Sequence, residues 1–188
     1  ALPLRMDGAR ARWHVVEPRH VPALPNPEER FRAGCADPFG SPPVSEIVNP
    51  NDRVVLTTSD GTRPVPNRLL IPWLLQELPV PPEQITIVIG TGTHRGNTPD
   101  ELKQMLGPDV VNRVRVVNHD ASDPDGNVRV GETSSGHPVS LNRVYVEADK
   151  RIAVGFIEPH FFAGFSGGPK AAAPGLASLE TILGLHSY

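Results

Sequence analysis

Gln84-Ile-Thr-Ile-Val-Ile89 followed by Gly90-Thr-Gly-Thr-His-Arg-Gly96 decides the fold. The first stretch is an apolar run of strand length, and it ends on glycine. Upstream, Pro66 to Leu78 places Leu69, Leu70, Trp73, Leu74 and Leu78 close to helical spacing and stops before Pro79. Before that helix, Arg53-Val-Val-Leu-Thr-Thr58 is a short buried run. Downstream, Thr98 to Leu106 predicts a helix: Thr98 caps it, Pro99 suits its first position, and Glu101 completes a capping box. Val114-Arg-Val-Val117 predicts another strand, and Val128 to Glu132 with Pro138 to Val146 predicts hairpin or meander strands around a turn at Gly136. Arg151-Ile-Ala-Val-Gly-Phe-Ile157 is the last strand, and a helix over about Ala177 to Leu185 comes after it. Strands alternating with helices predict an α/β fold, a mainly parallel Rossmann-like sheet flanked by helices.

The first fifty residues differ. Pro18, Pro22, Pro25, Pro27, Pro38, Pro42, Pro43 and Pro50 crowd a stretch that cannot be one helix or a central strand. It reads as an extended arm, residues 1–50, packed on an α/β body of residues 51–188. The expected elements there are a strand over Ala11 to Glu17, a helical turn at Pro27 to Ala33 and a short helix near Pro43.

Composition excludes several function classes. The 188 residues are 38% hydrophobic and 21% charged, enough for a core. A net charge of -3 supplies no basic field for nucleic acid or an anionic membrane. No apolar run approaches the ~18 residues of a membrane span. Cys35 stands alone, so no internal disulfide framework is expected. Arg5, Arg10 and Arg12 interrupt the start, which argues against a secretory leader and for a cytoplasmic protein.

In parallel α/β sheets, ligands sit beyond the carboxyl ends of the strands, and three strand ends carry chemistry. After the first comes Ser59-Asp60-Gly61-Thr62-Arg63-Pro64, where Asp60 is expected to cap the turn and pair with Arg63, a guanidinium suited to a carboxylate. The second is the glycine turn with Thr91, Thr93 and His94. The third is Glu158-Pro-His-Phe-Phe-Ala-Gly-Phe-Ser-Gly-Gly-Pro-Lys170, a His among aromatics, then a Gly/Ser loop, then a Lys. Its loop N–H groups suit a phosphate, but Ala171 comes after the Lys and the Gly spacing is wrong for a P-loop. From residues alone a phosphate- or nucleotide-binding module without redox chemistry stays open, as does a fold that has lost catalysis. His186 lies sixteen residues past Lys170. His119 reads as structural or supporting; His14, His20 and His137 read as surface residues. There is no Cys or carboxylate cluster for tetrahedral zinc or a hard cation, and no convincing Ser–His–Asp order.

Asp60-Gly-Thr-Arg-Pro64, Gly92-Thr-His-Arg95 and His160-Phe-Phe-Ala-Gly-Phe-Ser-Gly-Gly-Pro-Lys170, extended by Pro174-Gly-Leu-Ala-Ser178 and His186, resemble the nickel-dependent lactate racemase family. The resemblance runs from about Asp37 to the end and is loose before it. It implies a nickel-pincer nucleotide cofactor, a pyridinium mononucleotide bound covalently through Lys170. It further implies His186 as the protein ligand to nickel, His94 and His160 as paired acid–base residues, and Asp60 and Arg63 at the substrate carboxylate. Thr91, Gly164, Ser166, Gly167 and Gly168 would lie near the nucleotide. The implied reaction is racemisation or epimerisation of a small 2-hydroxy acid by proton-coupled hydride transfer. Removing the C–H beside a carboxylate as hydride avoids building a second negative charge there, and imidazole, with a reference pKa of ~6.5, suits the hydroxyl proton. Family members carry a second, C-terminal domain absent from this chain, and depend on cofactor-biosynthesis proteins. Thr93 stands where lactate enzymes can carry a bulkier aromatic, so other 2-hydroxy acids stay open.

Overall fold

The structure, a computed structural model, describes residues 14, 16, 17 and 19–186. The strand expected over 11–17 lies outside these apart from His14, Val16 and Glu17, which belong to no regular element. The chain then runs α1 (Pro27–Ala36), α2 (Val44–Ile47), β1 (Val54–Ser59), α3 (Asn67–Glu77), β2 (Ile85–Gly90), α4 (Pro99–Leu106), α5 (Pro108–Arg113) and β3 (Arg115–Asn118). It continues through β4 (Asn127–Glu132), β5 (Pro138–Asn142), α6 (Arg143–Val146), β6 (Lys150–Ala153), β7 (Pro159–His160), β8 (Gly164–Phe165) and α7 (Leu179–Leu185).

β1, β2, β3 and β6 form a four-stranded sheet in the order β3-β2-β1-β6, parallel throughout. Strand alternation sends side chains to two faces. Val54 and Leu56 of β1 join Ile85, Ile87 and Ile89 of β2 in a cluster closed by Ile71 and Leu74 of α3, Leu106 of α4 and Val110 of α5. Val55 and Val88 point the other way, onto Ala148 and Leu176. Strand order grows outward from β1 to β3, then returns to the far side of β1 with β6. That reversal makes a topological switch point at β1, where a crevice opens at the carboxyl ends.

The N-terminal segment contributes to the same core. Val48 is buried in the first cluster with Phe31 and Val44 packed against it. The Phe31 and Trp73 rings lie 5.8 Å apart, and Arg32 pairs with Glu77 of α3.

Local chemistry explains the boundaries. The Thr98 hydroxyl accepts from the Glu101 N–H at 3.3 Å, and the Glu101 carboxylate accepts from the Thr98 N–H at 2.8 Å, the expected capping box. α1 runs past its expected single turn to Ala36, and α5, which periodicity over so short a stretch does not reveal, starts at Pro108 after Gly107 at φ +92°. Two expected strands are cut short. The second hairpin strand stops at Asn142, whose side chain accepts from the Tyr145 N–H and caps α6. The last sheet strand stops at Ala153; Val154 still donates to Thr57 at 2.8 Å, and beyond it the chain leaves the sheet toward β7.

His119 is 2% exposed and ties the sheet to the segment after Lys170. A carbonyl only accepts, so Nε2–H donates to the Ala177 carbonyl at 2.9 Å, and Nδ1 accepts from the Asn142 amide at 3.3 Å. Because the Asn142 oxygen is committed to Tyr145, that amide cannot turn over to accept from a protonated ring. Burial lowers the His119 pKa, against smaller upward pulls from the Ala177 carbonyl and Asp120. A folded pKa below the unfolded value of about 6.5 means full stability above that pH and loss as pH falls through the folded value. His119→Gln, with no titrating group, is expected to flatten this acid limb in thermal melts taken across pH. An unchanged limb would show that other groups control it.

Candidate active site

Three strand ends and the segment before α7 enclose a polar cleft of about 240 Å³ at the carboxyl edge of the sheet. Its walls include Asp60 and Arg63 after β1, Thr91 and His94 after β2, and His160 of β7. Ser166, Gly167, Lys170 and His186 complete it. His94 and His160 therefore face one cavity. Gly164 and Gly168 stand outside the lining; Gly164 lies in β8, opposite His160 in a two-stranded ribbon. Thr91 is buried, and its hydroxyl donates to the His119 carbonyl at 2.7 Å, so it braces the glycine turn. Gly92 adopts φ +57°, a left-handed conformation that glycine takes without strain, and its N–H donates to the Gly175 carbonyl at 3.1 Å.

Asp60 differs from expectation. Its carboxylate, 6% exposed, accepts from the Thr62 hydroxyl at 2.6 Å and the Thr62 N–H at 3.2 Å, and lies 2.7 Å from Nδ1 of His94. The expected pairing with Arg63 is not made: the tight turn folds Thr62 back onto the carboxylate, and the Arg63 guanidinium reaches Glu158 instead, at 3.6 Å. Burial would raise the Asp60 pKa, but the bonds from Thr62 and His94 outweigh it and hold the carboxyl below its usual range. A carboxylate that accepts at Nδ1 fixes the His94 tautomer with Nε2 as the unprotonated nitrogen of the neutral ring.

His160 is set the other way. Its Nδ1 accepts from the backbone N–H groups of Phe162 and Ala163 at 3.3 and 3.2 Å. Its neutral ring therefore carries the proton on Nε2. Partial burial lowers its pKa, helped by the positive charges of Lys170 and Arg63. Lys170 sits in the one-turn 3-10 helix Gly168–Ala171, and turns carry the chain on to α7. Burial, then Arg63, lowers the Lys170 pKa, against smaller upward pulls from Asp60 and Glu158. At the other end of that path, His186 caps α7, and its Nδ1 lies 2.7 Å from the Ile182 carbonyl, which leaves Nε2 free to bind a metal.

Sequence reasoning missed Glu158, Thr62 and the wall formed by Pro174, Gly175 and Ile182. Glu158 had one signal, its place two residues before His160 on the same segment. His137, expected at the surface, is half-buried against Gly184 of α7; His14 and His20 are exposed. Among the described residues, no helix is long and apolar enough to cross a membrane.

A parallel α/β domain with imidazoles, a guanidinium and a lysine gathered at its switch point fits an acid–base enzyme acting on a small anion. The sequence matches the lactate racemase N-terminal domain over residues 8–188, and the chain belongs to that family. The match reaches back past Asp37, where motif likeness fades. It is 41% identical over 162 residues to a lactate racemase from Lactiplantibacillus plantarum, covering 85% of this chain and 38% of that protein. A lactate racemase from Thermoanaerobacterium thermosaccharolyticum is 40% identical over 161 residues, with the same coverage of 85% and 38%. The structure of the lactate racemase apoprotein from the latter organism superposes with a TM-score of 0.76 at 37% identity, covering 83% of this chain and 38% of that one. A crystal structure of a Thermotoga maritima protein gives a TM-score of 0.66 at 26% identity, covering 85% and 40%. The chain thus spans 38% of the length of the curated relatives it matches.

Proposed function

We propose that the protein contributes the acid–base and cofactor-bearing half of a 2-hydroxy-acid racemase, lactate being the first substrate to test. The observation that carries this reading is the meeting of Arg63, His94, His160, Lys170 and His186 in one cleft. Arg63 binds the substrate carboxylate through its planar donors. His94, with Nδ1 held by Asp60, takes the hydroxyl proton at Nε2. His160 presents Nε2 to the same space and serves the oxygen from its own side of the cleft.

The residues fit a nickel-pincer nucleotide. Lys170 brings its amine to the cleft with a pKa lowered by burial, and His186 keeps one ring nitrogen free. Among the described residues no group of three His, Cys, Asp or Glu is placed to hold a metal ion, so a metal bound by His186 would take its other donors from a cofactor. Gly167 lines the cleft on the route to Lys170 and suits the phosphate end, while Ser166, whose N–H and hydroxyl donate to the Glu158 and Phe156 carbonyls, shapes that wall. When bound, such a group supplies hydride acceptance and return at the carbon bearing the hydroxyl. The chain's own residues bind the carboxylate and move the hydroxyl proton.

The test is intact mass, metal content and lactate racemisation of the full-length protein made together with cofactor-producing enzymes. Added mass, nickel and racemisation are expected together. Phosphate affinity with neither added mass nor nickel would transfer the site to a phosphate-binding module.

A further inference from the structure

Arg63 needs a partner to hold it, and the nearest carboxylate in sequence is taken: Asp60 is occupied by Thr62 and His94. The charge facing the guanidinium comes from the other side of the crevice. Glu158 lies on the connection from β6 to β7, and its Oε1 is 3.6 Å from Nη1 of Arg63, both side chains about one-third exposed. The Glu158 backbone is itself fixed, since its carbonyl accepts from the N–H of buried Ser166 at 2.9 Å. Pro159 comes next and carries the chain directly to His160.

We propose that Glu158 is the positioning residue for Arg63: by engaging the Nη1 end across the crevice, it leaves the Nε–Nη2 fork to meet the substrate carboxylate. This rests on the reading of Arg63 as the carboxylate site. The contact is too long for a hydrogen bond, so Glu158 acts as a fixed charge that biases the guanidinium. It also ties the β1 loop, which carries Asp60, to the segment carrying His160.

A double-mutant cycle in the full-length protein tests this, with sodium lactate as the probe and two readouts: the binding constant on cofactor-free protein, and KM against kcat on loaded enzyme. Arg63→Ala is expected to weaken lactate binding about ten-fold or more, the scale of a charge-assisted bond. Glu158→Gln, nearly isosteric, is expected to weaken it about three-fold, the scale of a partly exposed ion pair, with kcat little changed. On the Arg63→Ala background, Glu158→Gln is expected to add nothing. Equal losses on both backgrounds, unchanged or tighter binding, or a fall in kcat at constant KM would each overturn the assignment of Glu158 while leaving Arg63 in place. Unchanged binding in Arg63→Ala would instead remove the carboxylate reading of Arg63, and Glu158 with it.

Discussion

Lys170→Ala is expected to abolish both the added mass on the polypeptide and racemisation, the largest single effect in the molecule. The reason is structural as well as chemical. Lys170 is half-buried in the one-turn helix Gly168–Ala171, between the Gly/Ser loop and the turns that lead to α7. Burial and the Arg63 charge both act against its ammonium form, and an amine must be neutral to form a covalent bond. A lysine serving only as a phosphate ligand would gain from the opposite arrangement, a full positive charge kept near its ordinary pKa. Lys170→Arg separates the two cases. It keeps the charge and adds hydrogen-bond donors, but guanidinium is not a nucleophile at neutral pH. If Lys170 is the anchor, Arg behaves like Ala, with no added mass and no turnover. Retained mass and racemisation in Lys170→Ala would show that the group is held elsewhere. Phosphate binding kept by Lys170→Arg and lost by Lys170→Ala would return the loop to the phosphate-binding reading. His186→Ala is the internal control: attachment stays possible while nickel content falls.

Much of the fold and of this site was legible in the sequence because the physics that fixes them is local. The β1 and β2 runs are mainly apolar, with only threonines among them before their last residues, since both faces of the sheet are covered, and such runs announce themselves. Thr98, Pro99 and Glu101 mark α4 because a capping box needs those residue types at that spacing. Asp60, Arg63, Thr91 and His94 sit just past the carboxyl ends of β1 and β2, and parallel topology brings such positions to one edge before any contact is known. What stayed hidden depends on contacts made at distance. Arg63 and Glu158 are far apart in sequence, and only the folded crevice shows which carboxylate the guanidinium meets. Sequence proximity suggested Asp60, but an Asp in a tight turn satisfies itself locally first, here through Thr62. The end of β5 was misread for a similar reason: Asn142 fits a strand by pattern, yet its side chain starts a helix. His119 reads as structural from sequence and is so, but only its burial and the Ala177 and Asn142 bonds show what it clamps.

His94→Ala is expected to slow racemisation by ~100-fold or more while leaving the added mass and the metal content unchanged, because general acid–base work is lost and attachment is not. The Asp60 contact makes the prediction more specific. At 2.7 Å from Nδ1, the carboxylate sets the tautomer that leaves Nε2 unprotonated, and on the proposed reading it would stabilise the ring once Nε2 takes the hydroxyl proton. Asp60→Asn removes the charge and admits an amide N–H facing Nδ1, which favours the wrong tautomer. It is therefore expected to approach the cost of His94→Ala with little change in KM. Thr62→Val offers the complementary case. It removes the 2.6 Å hydroxyl bond to Asp60 but leaves the charge beside His94, so the Asp60 pKa should rise toward its ordinary value and the loss should be smaller. The double variant Asp60→Asn with His94→Ala should be no worse than His94→Ala alone, since a carboxylate acting through an imidazole has nothing to act on once the ring is gone. Additive losses would place Asp60 on the substrate directly and dissolve the pair as a unit.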